Sequence, residues 1–193
     1  MKNLKLDIVI FFSLLALIIA TRILFHIGPN VEFVTISSLI GGYFFSSKKL
    51  SFLLPLMAMA MTDAILGNTS IFIFTWSAFL FTPMMGMFLK SEFIKNKLEN
   101  MPLSIRPAIL GLGGAALSVV IFYLWTNFGV VVTTNMYPDT IQGLINSYIN
   151  ALPFLKNQLA GNILTAPLLF TLVSWAYGFK SDPHFHYSVS KRA

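Results

Sequence analysis

The sequence predicts an all-α membrane protein, a bundle of six transmembrane helices that forms a single integral membrane domain over residues 1–193. Of the 193 residues, 56% are hydrophobic and only 10% are charged, whereas a soluble domain carries about 25% charged residues. Apolar runs that approach the roughly 20 residues of a spanning helix recur along the chain. The sequence contains no cysteine, which excludes disulfides and thiolate metal sites.

The net charge of +6 is explained by lipid rather than by nucleic acid. Basic residues of membrane proteins gather beside the anionic cytoplasmic leaflet. A nucleic-acid-binding protein would instead show a basic face interleaved with stacking aromatics, and the sequence has no such pattern. The lipid bilayer is therefore an expected partner, and nucleic acid is not.

Six apolar segments are the predicted spans, and the second of them is short for a full crossing. They cover residues 8–25, 33–47, 50–66, 71–89, 107–128 and 157–179. Between the fifth and the sixth, residues 141–152 place apolar side chains at helical spacing among several amides. This segment is predicted to be an amphipathic helix that lies in the membrane interface or re-enters the membrane.

The orientation follows from Lys and Arg, which favour cytoplasmic loops. Of the 13 basic residues, 11 precede the first span, follow the sixth, or lie between the second and third or the fourth and fifth. Six spans place all of these on one side. The prediction is a multi-pass protein of the inner (cytoplasmic) membrane, with both termini and a polar tail of about residues 180–193 in the cytoplasm.

Ionisable and amide side chains collect at the outer end of the predicted bundle. They are Arg22, His26, Asn30, Glu32, Asp63, Asn68, Asp139 and Lys156. Because a charge inside a span is costly and usually faces protein or water, this distribution predicts a wet cavity in the outer half. Asp63 falls in the last turn of its helix, where the helix dipole disfavours an anion. We therefore expect Asp63 to have a partner, either Arg22 or a ligand.

Further polar side chains within the spans add candidates for this cavity. An amide in a span needs a hydrogen-bond partner, which is either a neighbouring helix or a ligand. We expect the ligand site between the outer ends of spans one, three and six and residues 135–152. The predicted direct contacts are Asn127, Tyr148 and Asn157, and the predicted floor or rim is Arg22, His26 and Asp63, with Asn30 in the same set.

Short motifs, most of them in the second half of the chain, carry a family resemblance. They are Thr126-Asn127-Phe128-Gly129, Tyr137-Pro138, Gly143-Leu144, and Ser147-Tyr148 followed by Ala151, Pro153-Phe154 and Asn157, with further matches at Pro29-Asn30 and around Asp63. With these motifs the chain resembles a family of bacterial integral membrane proteins of unknown function. That family looks related to the substrate-binding S components of energy-coupling factor (ECF) vitamin transporters.

The resemblance implies a membrane-embedded substrate-binding subunit of a vitamin or micronutrient importer, without a cofactor. In S components a small-residue face on the first helix docks the transmembrane coupling subunit, which implies this role for Ala16 and Ala20. The chain has no G-x-x-x-x-G-K-[ST] motif of its own, so either ATPases of the ECF type supply the energy or the protein acts alone. The expected ligand is a vitamin-like small molecule, with cobalamin as one candidate.

Two other functions stay open on the sequence alone. One is a structural or assembly membrane protein that binds no ligand. The other is a membrane enzyme in which His26 and Asp63 form an acid–base pair, although the spacing of these residues does not require it. A ligand that co-purifies with the protein distinguishes the importer subunit from the assembly protein.

Overall fold

The computed structural model describes residues 4–24, 33–67 and 70–178, and within these ranges it contains seven α-helices and no strand. They are α1 (Leu4–Ile19), continued by a π-helical turn (Ala20–Leu24), α2 (Val34–Phe44), α3 (Lys48–Leu66), α4 (Phe72–Leu89), α5 (Glu92–Lys97), α6 (Arg106–Thr133) and α7 (Ile141–Ala176). The predicted all-α fold is confirmed. Predicted spans one, three, four and five correspond to α1 with its π-helical turn, α3, α4 and α6, with ends that differ by up to five residues.

Five of these helices are long and apolar enough to cross a membrane, namely α1 with its π-helical turn, α3, α4, α6 and α7. This supports a multi-pass membrane protein, but it does not reproduce the predicted count of six spans. The second predicted span forms only α2, which has 11 residues, because Phe45 adopts an extended backbone and α3 begins three residues later. Every residue of α2 is buried, so protein rather than lipid surrounds this short helix.

The last helix corrects a second prediction. Residues 141–152 are not a separate interfacial or re-entrant segment, because they are the first turns of α7, a continuous helix of 36 residues. Thr140 caps this helix, and its hydroxyl oxygen accepts a hydrogen bond of 3.1 Å from the Gly143 N–H. The buried side of these turns consists of the small residues Gly143, Ser147 and Ala151. This side packs along α6, with which α7 makes the most extensive helix–helix contact of the fold.

A close crossing of α2 and α4 lies in the middle of the bundle. A Cβ atom on Gly42 would lie 2.1 Å from the carbonyl oxygen of Pro83, and one on Gly86 would lie 2.3 Å from that of Leu39. No side chain fits at either position, so glycine is what allows the two backbones to approach this closely. The crossing helps to bury α2 completely.

The two ends of the described chain meet at Asp7, which is fully buried in the first turn of α1. Its two carboxylate oxygens accept hydrogen bonds from the Ser46 N–H (2.9 Å) and from the Tyr177 hydroxyl (2.7 Å). Burial, and then the hydrogen bond and charge of Asp7, raise the pKa of Tyr177, so this hydroxyl remains a donor at neutral pH. The beginning of α1 and the end of α7 therefore lie at one end of the bundle, the Asp7 end. The opposite end, where residues 134–140 connect α6 to α7, is the loop end.

Candidate functional site

A cavity of about 290 Å³ opens at the loop end of the bundle. Its walls come from Ile71 and Thr75 at the start of α4, from Phe122, Tyr123, Thr126, Asn127 and Val130 on α6, from Met136 and Tyr137 in the 134–140 connection, and from Ser147, Asn150, Ala151, Phe154, Leu155 and Gln158 on α7. None of these described wall residues is an Asp, Glu, Lys, Arg or His. The cavity is thus an apolar and aromatic space with a few amides and hydroxyls, the usual composition of a small-molecule site.

Two glycines let the walls of this cavity come together. Gly129 on α6 lies against Phe74 of α4, where a Cβ atom would approach the ring carbon Cγ to 2.4 Å. Gly143 lies against the 134–140 connection, where a Cβ atom would approach the carbonyl oxygen of Pro138 to 2.0 Å. The first contact brings α4 and α6 together. The second folds the connection back onto α7, so that Tyr137 becomes part of the wall.

Hydroxyl groups fasten α6 to α7 beside the cavity. The Tyr123 hydroxyl donates to the carbonyl oxygen of Tyr148 (2.6 Å), and the Tyr148 hydroxyl donates to the carbonyl oxygen of Leu124 (3.1 Å). The two tyrosine rings lie 5.6 Å apart. The Ser147 hydroxyl donates to the carbonyl oxygen of Asn127 (3.1 Å). These bonds hold the two longest walls in register without a charged group.

Gln158 is the most deeply buried amide of the cavity wall, with 7% of its surface exposed. Within the described part of the chain, neither Oε1 nor Nε2 of Gln158 has a hydrogen-bond partner. One turn further along α7, Asn162 donates to the Gln158 carbonyl oxygen (2.9 Å), and its own buried Oδ1 accepts no bond from any described residue. Asn162 is not in the cavity wall, whereas Gln158 is, so the carboxamide of Gln158 is the group available to a polar molecule inside the cavity.

Most of the other polar side chains of the wall donate a hydrogen bond within the protein. Asn127 donates through Nδ2 to a carbonyl oxygen one turn earlier in α6 (2.8 Å), which leaves its Oδ1 as an acceptor. Asn150 donates to the Tyr137 hydroxyl (3.2 Å). The hydroxyls of Thr75 and Thr126 donate to carbonyl oxygens of their own helices. Besides Gln158, the wall therefore offers a ligand the acceptor Oδ1 of Asn127 and the O–H donor of Tyr137.

A second polar cluster lies between the π-helical turn, α3 and α4. Arg22 and Asp63 form an ion pair with 3.2 Å between Nη2 and Oδ1, and their side chains are 11% and 9% exposed. The second carboxylate oxygen accepts a hydrogen bond of 2.8 Å from the indole N–H of Trp76, and Arg22 also contacts the sulfur of Met59. The expected pairing of Asp63 with Arg22 is confirmed. Neither residue is in the cavity wall, although Trp76 directly follows the wall residue Thr75.

The predicted direct contacts have three different positions. Asn127 is in the cavity wall, and Tyr148 stands beside it through its bonds to α6. Asn157 is half-buried and is not in the wall, where the next residue, Gln158, stands instead.

Two predicted site residues, His26 and Asn30, lie outside the described residues. The residues expected to dock a coupling subunit are both described. Ala16 is exposed on α1, and Ala20 is half-buried where α1 passes into its π-helical turn.

Sequence reasoning missed Gln158, although the helical period of α7 identifies it. Buried residues on α7 occur at positions 143, 147, 151, 158, 162, 166, 170 and 174, which are spacings of four and seven on one helix face. Asn157 is one position off this face. This face can be followed along the sequence once α7 is known to begin at Ile141. The predicted span began at residue 157, so it did not include the turns that place Gln158 on the same face as Gly143, Ser147 and Ala151.

The comparisons with known proteins concern almost the whole chain. A model described as a family of unknown function, DUF6580, matches residues 2–184. The chain belongs to this family. The predicted membership of an uncharacterised family is thus confirmed, while the search of curated proteins and the search of solved structures found no match. Several residues of the motifs quoted above meet at the cavity, among them Thr126, Asn127, Tyr137, Ser147 and Phe154.

Proposed function

We propose that the protein is the small-molecule-binding subunit of a membrane importer for a vitamin or another micronutrient, similar to an ECF S component. The cavity at the loop end is the binding site. Asn127 and Gln158 supply its polar contacts, and Tyr148 holds the walls in place. Support comes from the chemistry of the cavity wall and from the resemblance of the motifs.

The carboxamide of Gln158 is the observation that carries this proposal. Gln158 is almost completely buried, and its Oε1 and Nε2 have no hydrogen-bond partner among the described residues. A molecule that occupies the cavity can therefore bond to both atoms. The cavity provides the room, with a volume of about 290 Å³, close to the lower limit of about 300 Å³ for typical ligand pockets.

We propose six membrane crossings, with α2 as the second. The hydrogen bond between Tyr177 and Asp7 places the first and the last described helix ends on the same side. A chain that begins and ends on one side crosses an even number of times, which five helices alone do not provide. The buried α2 supplies the remaining crossing, because the protein around it replaces the lipid that would require a longer helix.

The Asp7 end is proposed to face the cytoplasm. Among the described basic residues, all except Arg22 and Lys156 belong to the helix ends and connections on that side: Lys5, Lys48, Lys49, Lys90, Lys95, Lys97 and Arg106. Basic loops remain in the cytoplasm. The cavity then opens to the outside of the inner membrane, as uptake requires.

An ECF-type coupling subunit is proposed to dock on α1, with its ATPases supplying the energy. Val9, Phe12 and Ala16 are exposed, and with Ala20 they follow a helical spacing along one face of α1. The small side chains in the second half of this face allow another helix to approach closely.

The cavity volume favours a compact vitamin-like ligand over cobalamin. A corrinoid is much larger than a space of about 290 Å³. Cobalamin would need a substantial opening of the walls that Tyr123 and Tyr148 hold together.

Ligand retention by purified protein tests the proposal. Wild-type protein in lipid nanodiscs is incubated with a small-molecule extract of bacterial cells and washed, and retained compounds are identified by mass spectrometry. We expect a compound retained at about one per protein, and about tenfold weaker retention by Asn127→Ala, since a ligand bond to its carboxamide is lost. Asn146→Ala is the matched control, because Asn146 is exposed on α7 outside the cavity wall.

The same experiment separates the alternatives. Retention no greater than that of empty nanodiscs contradicts the proposal. Capture of a protein partner without any small molecule favours the assembly protein, and chemical conversion of a retained compound favours the membrane enzyme.

A further inference from the structure

We infer that the cavity selects an uncharged, flat molecule with an amide or lactam edge and rejects vitamins that are ions at neutral pH. This inference rests on the proposed function and names the substrate class of the same site. It depends on three features of the cavity wall: its lack of charge, the free carboxamide of Gln158, and the arrangement of its aromatic rings.

The wall offers no counter-charge for an ion. None of the described wall residues is charged at neutral pH. Arg22 and Asp63 neutralise each other, and both oxygens of Asp63 are already occupied, one by Arg22 and the other by Trp76. A carboxylate or ammonium group that gives up water for this uncharged wall needs a paired charge, because its lost hydration is otherwise not replaced. A neutral ligand has no such requirement.

Gln158 determines the hydrogen-bonding pattern of the ligand. Its carboxamide presents an N–H donor beside a carbonyl acceptor, and both atoms lack partners among the described residues. A ligand edge with an adjacent C=O and N–H forms two parallel hydrogen bonds with such a group. Elsewhere in the wall the ligand meets the acceptor Oδ1 of Asn127, whose amide nitrogen donates one hydrogen bond within α6, so an N–H or O–H group of the ligand can bond there.

The aromatic side chains favour a flat ring system. Phe122 and Tyr123 stand on the α6 wall, Tyr137 on the connection and Phe154 on the α7 wall. Aromatic residues of three separate elements thus line the cavity, and aromatic side chains pack favourably against another aromatic ring. A planar heterocycle with a lactam edge can pack against the aromatic rings and form hydrogen bonds with Gln158 at the same time.

Matched compounds of different charge test the inference on the wild-type protein. The cell extract is supplemented with equal amounts of nicotinamide and nicotinate and of thymine and orotate, pairs that share a ring and differ in charge. We expect the retained compounds to be uncharged at pH 7 and to carry an amide or lactam edge, with at least about tenfold enrichment over charged compounds. Equal retention of both classes, or preferential retention of ions, overturns the inference but leaves the proposed function standing. Retention of no compound overturns both.

A substitution at Gln158 tests the hydrogen-bonding pattern separately. Gln158→Leu keeps the approximate size of the side chain and removes its carboxamide, so retention of the wild-type ligand is expected to fall about tenfold or more. Gln142→Leu makes the same change on an exposed face of α7, where Gln142 bonds to Asn146, and is expected to retain the ligand fully. Undiminished retention by a folded Gln158→Leu protein overturns the role of Gln158. If this variant does not fold, the charge comparison on the wild-type protein still decides the substrate class.

Discussion

Asp63 shows how a carboxylate is stabilised inside this bundle. It lies in the last turn of α3, where the helix dipole disfavours a negative charge. Arg22 and Trp76 offset this with an ion pair of 3.2 Å and a hydrogen bond of 2.8 Å. Arg22 belongs to the π-helical turn Ala20–Leu24, a rare geometry that is frequent at functional sites. The ion pair thus joins this turn to the end of α3.

The ion pair predicts a double-mutant effect on stability. Asp63→Asn and Arg22→Gln are each expected to lower the free energy of unfolding by about 3–5 kcal/mol, because each removes one partner of a buried pair. The double variant should lose less than the sum of the two. The measurement is unfolding in detergent. Asp139→Asn is the control at an exposed carboxylate, and it is expected to change the free energy of unfolding by about 0.5 kcal/mol or less. Additive losses would show that the two side chains are not coupled.

The sequence predicted this pair but not the contacts around it. The dipole argument requires only that Asp63 lies near a helix end, which is a local property. The contact of Trp76 depends on how α3 and α4 face one another, which its local sequence does not indicate. The facing of Gln158 follows from the helical period of α7 only once that helix is known to begin at Ile141. The bond between Asp7 and Tyr177 joins residues 170 positions apart, and only the assembled bundle brings them together.

The cavity is carried by the two longest helices. At a rise of 1.5 Å per residue, α6 with 28 residues and α7 with 36 residues are about 42 Å and about 54 Å long. A hydrocarbon core of about 30 Å is shorter than either, even with the usual tilt of about 20°. Both helices are therefore long enough to extend beyond the hydrocarbon core at one end or at both.

Glycine substitutions test whether this arrangement depends on close backbone contacts. Gly143→Ala should destabilise the protein by about 1–3 kcal/mol and weaken ligand retention, because its Cβ would overlap the Pro138 carbonyl oxygen and displace the connection. Thermal unfolding in detergent and the retention assay measure the two effects.

Gly113→Ala is the matched control for that substitution. Gly113 lies in α6, and a Cβ atom there meets nothing within 4 Å. Helix propensity alone should make this variant neutral or up to about 1 kcal/mol more stable. Equal behaviour of the Gly113 and Gly143 variants would contradict the role assigned to the contact with Pro138.

Helix existence could be predicted from sequence because a run of about 20 apolar residues is a local signal. The position of residues 141–152 could not be predicted, because an amphipathic pattern with amides suits both an interfacial helix and a helix packed on protein. The small face of Gly143, Ser147 and Ala151 settles it by packing on α6. Likewise, the apolar segment of α2 is shorter than a typical spanning helix. It needs no further apolar residues, because neighbouring helices bury it completely.

For the molecule as a whole, the direction in which the cavity opens determines what the protein can do. The Asp7 end collects most of the described basic residues, while the cavity lies at the opposite end. With the Asp7 end in the cytoplasm, a ligand enters the cavity from outside, as an importer subunit requires. With the reverse orientation, the same cavity would collect molecules from the cytoplasm.

Cysteine labelling decides between these orientations, and the cysteine-free sequence gives no background. Asn96→Cys and Asp139→Cys place single thiols at exposed positions near the Asp7 end and at the loop end. We expect an impermeant maleimide to label position 139 on intact cells and position 96 only after permeabilisation, because basic connections remain in the cytoplasm. Labelling of position 96 alone on intact cells would reverse the topology. The cavity would then face the cytoplasm, and the proposed uptake role would fail even if the cavity binds a ligand.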